Sequence, residues 1–234
     1  MAGRITRKEL KTDKFAVEVE HTVDFVTQHR SQLVLYGSIA VAVAALAVGI
    51  YFYMGRQHTV REQALADAIQ LEELPVGQTH PVTLVNFPTE EAKQAAATKA
   101  FNDLAAKYPG TNEAAVAKYY AGGIAAEQGK MAEAQRLFQE AAGTGDKNYT
   151  ALARFALAQV YVAEKRPADA EKIFRELIAQ PTTLVSKEQA TIELAKTIAA
   201  TKPAEAKKLL EPLRAQAGPV SQAALGALGD QPGQ

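Results

Sequence analysis

From Leu33 to Tyr53 the chain is apolar at nearly every position, and no charged residue stands between Arg30 and Arg56. Twenty-one helical residues rising about 1.5 Å each reach about 30 Å, the thickness of a hydrocarbon core. The run therefore predicts a transmembrane helix, with Tyr36 at one end and Tyr51, Phe52 and Tyr53 at the other as interfacial anchors. Upstream, Phe15, Val19, Val23 and Val26 recur at helical intervals and predict a short amphipathic helix. Such a helix lies on the headgroups, contacts a membrane partner, or is a solvated extension. Downstream, Arg56 to Leu74 continues helical, with Ala64, Leu65, Ala68, Ile69 and Leu71 available for packing. Pro75, Pro81 and Pro88 then impose an extended connection over 75–90; the β-prone Val82-Thr83-Leu84-Val85 within it is too short for a sheet.

Beyond residue 90 the hydrophobic pattern repeats. Phe101, Phe138, Phe174 and Leu210 are 37, 36 and 36 residues apart. An alanine stands four residues before each (Ala97, Ala134, Ala170, Ala206), and Leu104, Ala141, Leu177 or Leu213 stands three after. Positions i, i+4 and i+7 share one helix face, so the small residue admits a neighbouring helix and the ring fills the next gap. Turns precede these helices at Gly129-Lys130, Arg166-Pro167 and Thr201-Lys202-Pro203, the prolines suiting a first helical turn. A first helix with its own apolar spacing, such as Leu157 and Tyr161, precedes each turn. The unit is a helix–turn–helix, and stacked units bury a continuous core.

With Gly122 and Ala158 at a small first-helix position, Tyr161 at its aromatic, and Ala134, Phe138, Ala141, Ala170 and Phe174 in the second helices, the chain resembles the tetratricopeptide repeat family over roughly Thr89 to Ala217. Pro109 and Pro181 fall at or beside the closing proline, whereas Lys118 and Arg154 replace the usual tryptophan. The fold class expected is all-α, a single transmembrane helix followed by a tetratricopeptide-like α-solenoid of helix-turn-helix repeats. Its divisions are a cytoplasmic tail (1–30), the transmembrane helix (31–55), a juxtamembrane helix and linker (56–90), the repeats (91–217), and a cap and tail (218–234) in which Ala223, Leu225 and Leu228 close the array. The residues from Gly229 onward are expected to fray.

Composition narrows the chemistry. The 234 residues carry no cysteine, hence no disulfide framework and no thiolate metal site. Formal charge is zero, with six Lys/Arg against five Asp/Glu in 1–30 and twenty against twenty-one in 56–234, so no basic surplus marks a nucleic-acid footprint. His21, His29, His58 and His80 stand in no ligand spacing, and Glu72-Glu73 and Glu90-Glu91 are adjacent pairs that diverge on a helix. The glycines follow no strand in a phosphate-binding pattern. We expect no catalytic residue, metal or cofactor, and a protein that is not an enzyme.

The early lysines and arginines (Arg4, Arg7, Lys8, Lys11) favour an N-terminus in the cytoplasm and the repeats across the membrane. Met54-Gly55-Arg56 is not a small-residue cleavage site, so the helix is expected to remain as an anchor. Ala45 and Gly49 form a small-xxx-small pair through which two spans can pack. The whole layout resembles the ancillary Sec translocon subunit family of bacteria and the repeat domain of cell-division coordinators. That resemblance implies a scaffold in the bacterial inner membrane with a periplasmic repeat domain, its partners being translocon subunits, chaperones or exported chains. The alternative is a structural module that self-associates and organises envelope or division machinery without binding clients. Carried onto this chain, the repeat register puts Val116, Tyr119, Gly123 and Glu127 of one unit, and Leu152, Phe155, Gln159 and Val162 of the next, on the concave protein-binding face. Tyr119 and Phe155 either anchor peptide contacts there or pack internally or against the 75–90 linker.

Overall fold

The computed structural model describes residues 30–77, 87–216 and 218–229, which form helices joined by turns with no strand among them. The expected tail helix through Phe15 to Val26, the Val82–Val85 stretch, His21, His29, His80 and the last five residues lie outside the described residues. The chain divides into two compact units, Met1–Thr59 and Val60–Gln234.

In the first unit, helix α1 (Arg30–Glu73) begins, and from Val34 it is long and apolar enough by length and composition to cross a membrane. Its large side chains are unburied: Leu35, Ile39, Leu46 and Ile50 are all more than half exposed. Ser38 Oγ donates to the Leu35 carbonyl oxygen at 2.8 Å, so this hydroxyl is satisfied within its own helix.

Among the described residues the second unit contains the end of α1 and eight further helices: α2 (Glu90–Lys107), α3 (Asn112–Glu127), α4 (Met131–Thr144), α5 (Lys147–Ala163), α6 (Pro167–Ala179), α7 (Lys187–Ile198), α8 (Pro203–Arg214) and α9 (Pro219–Gly229). From α2 onward each helix packs on the next, and α3 also meets α5 while α7 meets α9. This is the contact pattern of stacked helical hairpins. All twelve positions of the recurring element are buried: Ala97, Ala134, Ala170 and Ala206 at 0% exposure, and Phe101, Phe138, Phe174 and Leu210 at no more than 3%. Leu104, Ala141, Leu177 and Leu213 complete the same stripe, on α2, α4, α6 and α8 in turn.

The caps show why the two helices of a hairpin start differently. Thr111, Asp146 and Ser186 accept backbone N–H bonds at the starts of α3, α5 and α7, satisfying donors the helix itself leaves orphaned. The second helices α4, α6 and α8 have no side-chain cap and begin after tight turns, two of them on Pro167 and Pro203. In two hairpins the turn needs a left-handed residue, Gly129 (φ 73°) and, 36 positions on, Lys165 (φ 59°). There the Lys130 and Arg166 amides reach back five residues to the Ala125 and Tyr161 carbonyls, closing the first helix.

The final turns of α1 join this core. Ala68 is buried, with Ala64, Leu65 and Ile69 packed beside it. Arg61 Nε lies 3.4 Å from a carboxylate oxygen of Glu113, the buried acidic residue in the first turn of α3. The stretch from Val60 to Glu73 thus reaches the start of α3 and contributes Ala68 to the buried core. The Gly77 amide, donating to the Phe87 carbonyl at 3.1 Å, brings the two ends of the connection together.

The substituted tryptophan positions also find a role. Lys118 on α3 pairs with Glu140 on α4 at 2.9 Å, and Arg154 on α5 pairs with Glu176 on α6. Both members shift by 36 residues, so one ion pair recurs in two successive hairpins where an indole would have packed.

Candidate functional site

The second helices hold their phenylalanines against aromatics of the first helices. Phe138 on α4 lies 5.8 Å from Tyr119 on α3, and Phe174 on α6 lies 5.5 Å from Phe155 on α5. These are the same contact 36 residues apart. Phe101 stacks on Tyr120 at 5.3 Å and 11°, and Tyr120 meets Tyr119 edge-on at 5.6 Å. Four rings therefore run in sequence from α2 through α3 to α4, a rigid and amphipathic floor.

Beside that floor is a groove of about 410 Å³. Tyr119, Tyr120, Gly123, Ile124, Ala126 and Glu127 of α3 form one wall; Ala156, Gln159, Val160 and Ala163 of α5 form the other. Met131 and Phe138 of α4 and Glu72 of α1 complete it. Glycines shape it in two ways. A Cβ at Gly122 would come within 2.8 Å of the Phe138 ring, so this position must be glycine for α3 and α4 to approach as they do. A Cβ at Gly123 would meet nothing within 4 Å, because that side is the open groove.

Burial pushes the Tyr119 and Tyr120 hydroxyls above the usual phenol range; Tyr149 adds to this, as do Tyr119, Glu72 and Glu73 at Tyr120. Both phenols are therefore neutral donors near pH 7. Of the groove-lining residues two are acidic, Glu72 and Glu127, and none is basic. Neither carboxylate forms an ion pair among the described residues; Glu127 accepts a bond from Gln94 Nε2 at 3.3 Å. No cluster of histidine, aspartate and glutamate capable of holding a metal occurs among the described residues.

Of the eight residues selected from the repeat register, Tyr119, Gly123, Glu127 and Gln159 line this groove. Val116 and Phe155 are buried, at 2% and 7% exposure, Phe155 taking the internal packing left open for it. Leu152 is half-buried against the core, and Val162 is exposed outside the groove. On α5 the lining face is Ala156, Gln159, Val160 and Ala163, with Ala156 and Ala163 one residue beyond the expected Phe155 and Val162. One residue is about 100° of helix rotation, enough to exchange wall for core. Tyr120 and Met131 lie outside those eight, and Glu72 reads in the sequence only as one of two diverging acids. Tyr120 adjoins Tyr119 and Met131 follows the Gly129-Lys130 turn, but Glu72 enters only because the last turn of α1 reaches the groove.

Among protein families, the one described as a tetratricopeptide repeat-like domain matches residues 28–181. No curated protein matches. Two solved structures are similar, both of a protein from Podosopora anserina described as kinesin light chain nearly identical TPR-like repeats. One of them, a single-substitution form, has a TM-score of 0.54 at 14% identity, covering 71% of this chain and 82% of that one. The second gives 0.53 at 14% identity with the same coverage. At this identity the likeness concerns the fold.

Proposed function

Since the chain belongs to the tetratricopeptide repeat-like domain family, we propose that it is a membrane-tethered scaffold whose groove between α3 and α5 holds a segment of another protein. Repeats of this kind generally mediate protein–protein contact, and the fold is typically non-catalytic. The observation that carries the reading is the groove itself. It is mostly apolar, lined by the Tyr119, Tyr120 and Phe138 rings and open beside Gly123, with Tyr119, Gly123, Glu127 and Gln159 available to a partner.

The finer reading puts α1 in the bacterial inner membrane, with the N-terminus cytoplasmic and the repeats periplasmic. The partners in this reading are Sec translocon subunits, periplasmic chaperones or the exported chains that pass between them. The early Arg4, Arg7, Lys8 and Lys11 and the order of tail, span and repeats support it. Single cysteines at Thr12 and at exposed Lys208, labelled in intact cells with an impermeant thiol reagent, test the orientation. Labelling at 208 alone is expected; labelling at 12 alone sinks the periplasmic reading. A photo-crosslinking residue at Gln159 then tests the site. Crosslinks to translocon subunits, chaperones or exported chains are expected, whereas crosslinks confined to copies of the same chain favour the self-associating module.

A further inference from the structure

We infer that the groove between α3 and α5 selects a cationic segment, one in which lysine or arginine stands beside aliphatic side chains. The inference rests on the reading of this groove as the protein-binding site and specifies the chemistry of its occupant. Charge complementarity carries it. Glu72 and Glu127 both face a groove whose other lining residues are apolar or uncharged, and no basic lining side chain neutralises them. An occupant that fills the apolar floor removes water from those carboxylates. Covering a carboxylate without an opposite charge is costly, so an acidic or purely apolar segment meets a penalty that a lysine or arginine removes. A volume of about 410 Å³ suits a few side chains of an extended segment rather than the edge of a folded domain.

The test uses the full chain in phosphatidylcholine nanodiscs, with empty discs as control, and three fluorescent peptides with Gly-Ser flanks. Their cores alternate leucine with lysine, glutamine or glutamate. The lysine peptide is expected to bind about fivefold more tightly than the glutamine peptide, with the glutamate peptide weakest. The preference should shrink as salt is raised. The Glu72→Gln/Glu127→Gln variant should bring the lysine and glutamine peptides to about equal affinity, and Glu72→Lys/Glu127→Lys should invert the order. Gly123→Phe places a ring where a Cβ meets nothing within 4 Å, and should block all binding while helical content stays unchanged. Equal binding of the three peptides, lost in Gly123→Phe, overturns the charge selection and leaves the groove as a peptide site. A lysine preference that survives both the glutamine variant and Gly123→Phe overturns the assignment to this groove. Failure of every peptide to bind the folded chain overturns the inference together with the reading beneath it.

Discussion

Gly122 and Gly123 are neighbours on α3, so replacing each by alanine applies the same backbone change in two environments. In a helix interior, Gly→Ala contributes about 0.8–1 kcal/mol through propensity and the unfolded chain's entropy. At Gly123 nothing lies within 4 Å of the new methyl, so the whole gain should appear as stability. At Gly122 the methyl falls 2.8, 3.0 and 3.2 Å from three atoms of the Phe138 ring. Ordinary carbon contacts need about 3.5–4.0 Å, so the ring or the helix must move by over half an ångström. Phe138 is 3% exposed and abuts Tyr119, which leaves the ring little room. Overpacking of this kind costs about 1–3 kcal/mol. Because the propensity gain is common to both variants, their difference isolates that cost. The two alanine proteins should differ by about 1–3 kcal/mol, or about 2–12 °C in Tm for a unit of this size. The chain has no tryptophan, so urea and thermal unfolding are best followed by far-UV circular dichroism on residues 60–234. Phe138→Leu, by removing the offending ring atoms, should abolish much of the difference in a double-mutant cycle. Equal stabilisation by both alanines would refute the claim that Gly122 sets the α3–α4 approach.

Three further outcomes are expected. Lys165→Gly should raise stability by up to about 1 kcal/mol, since Lys165 occupies the left-handed conformation (φ 59°) that glycine adopts freely and that Gly129 holds in the preceding hairpin; an unchanged urea midpoint would count against it. Arg61→Met should cost about 1–3 kcal/mol by removing the guanidinium 3.4 Å from the buried Glu113 carboxylate, and should speed amide exchange over residues 60–73 if this contact holds the end of α1 to α3. Stability should also fall in acid. The Lys118 and Arg136 partners hold Glu140, and Lys202 and Arg175 hold Glu171, below the ordinary glutamate value of 4.5. A carboxyl depressed by folding contributes stability that is present above its unfolded value and lost as pH falls from there through the folded one. The urea midpoint should therefore decline below about pH 4.5, less steeply in Glu140→Gln/Glu171→Gln. An identical slope in that variant would assign the acid sensitivity elsewhere.

Much of this architecture is legible in the order of residues alone. Ala97, Phe101 and their counterparts at 36- and 37-residue intervals mark the second helix of every hairpin, because i, i+4 and i+7 must share a face and that face must be buried. The long apolar run before Arg56 declares its own preference for an apolar surrounding, since no packing partner is needed to read length and charge. The groove is different. Whether Tyr119 and Phe155 face a partner or the core depends on about 100° of rotation per residue, which local spacing does not resolve. Packing decides it, with Phe155 buried against Phe174 while Tyr119 remains at the groove edge. The reason that Lys118 and Arg154 stand at tryptophan positions appears only when Glu140 and Glu176, each 22 residues away in sequence, arrive beside them. Likewise the sequence marks Glu72 as one of two adjacent acids on a helix, and only tertiary packing makes it a wall of the groove. Periodicity reports the faces of helices, a local property of the chain; a binding site is made of the gaps between faces, and those exist only after helices distant in sequence have packed.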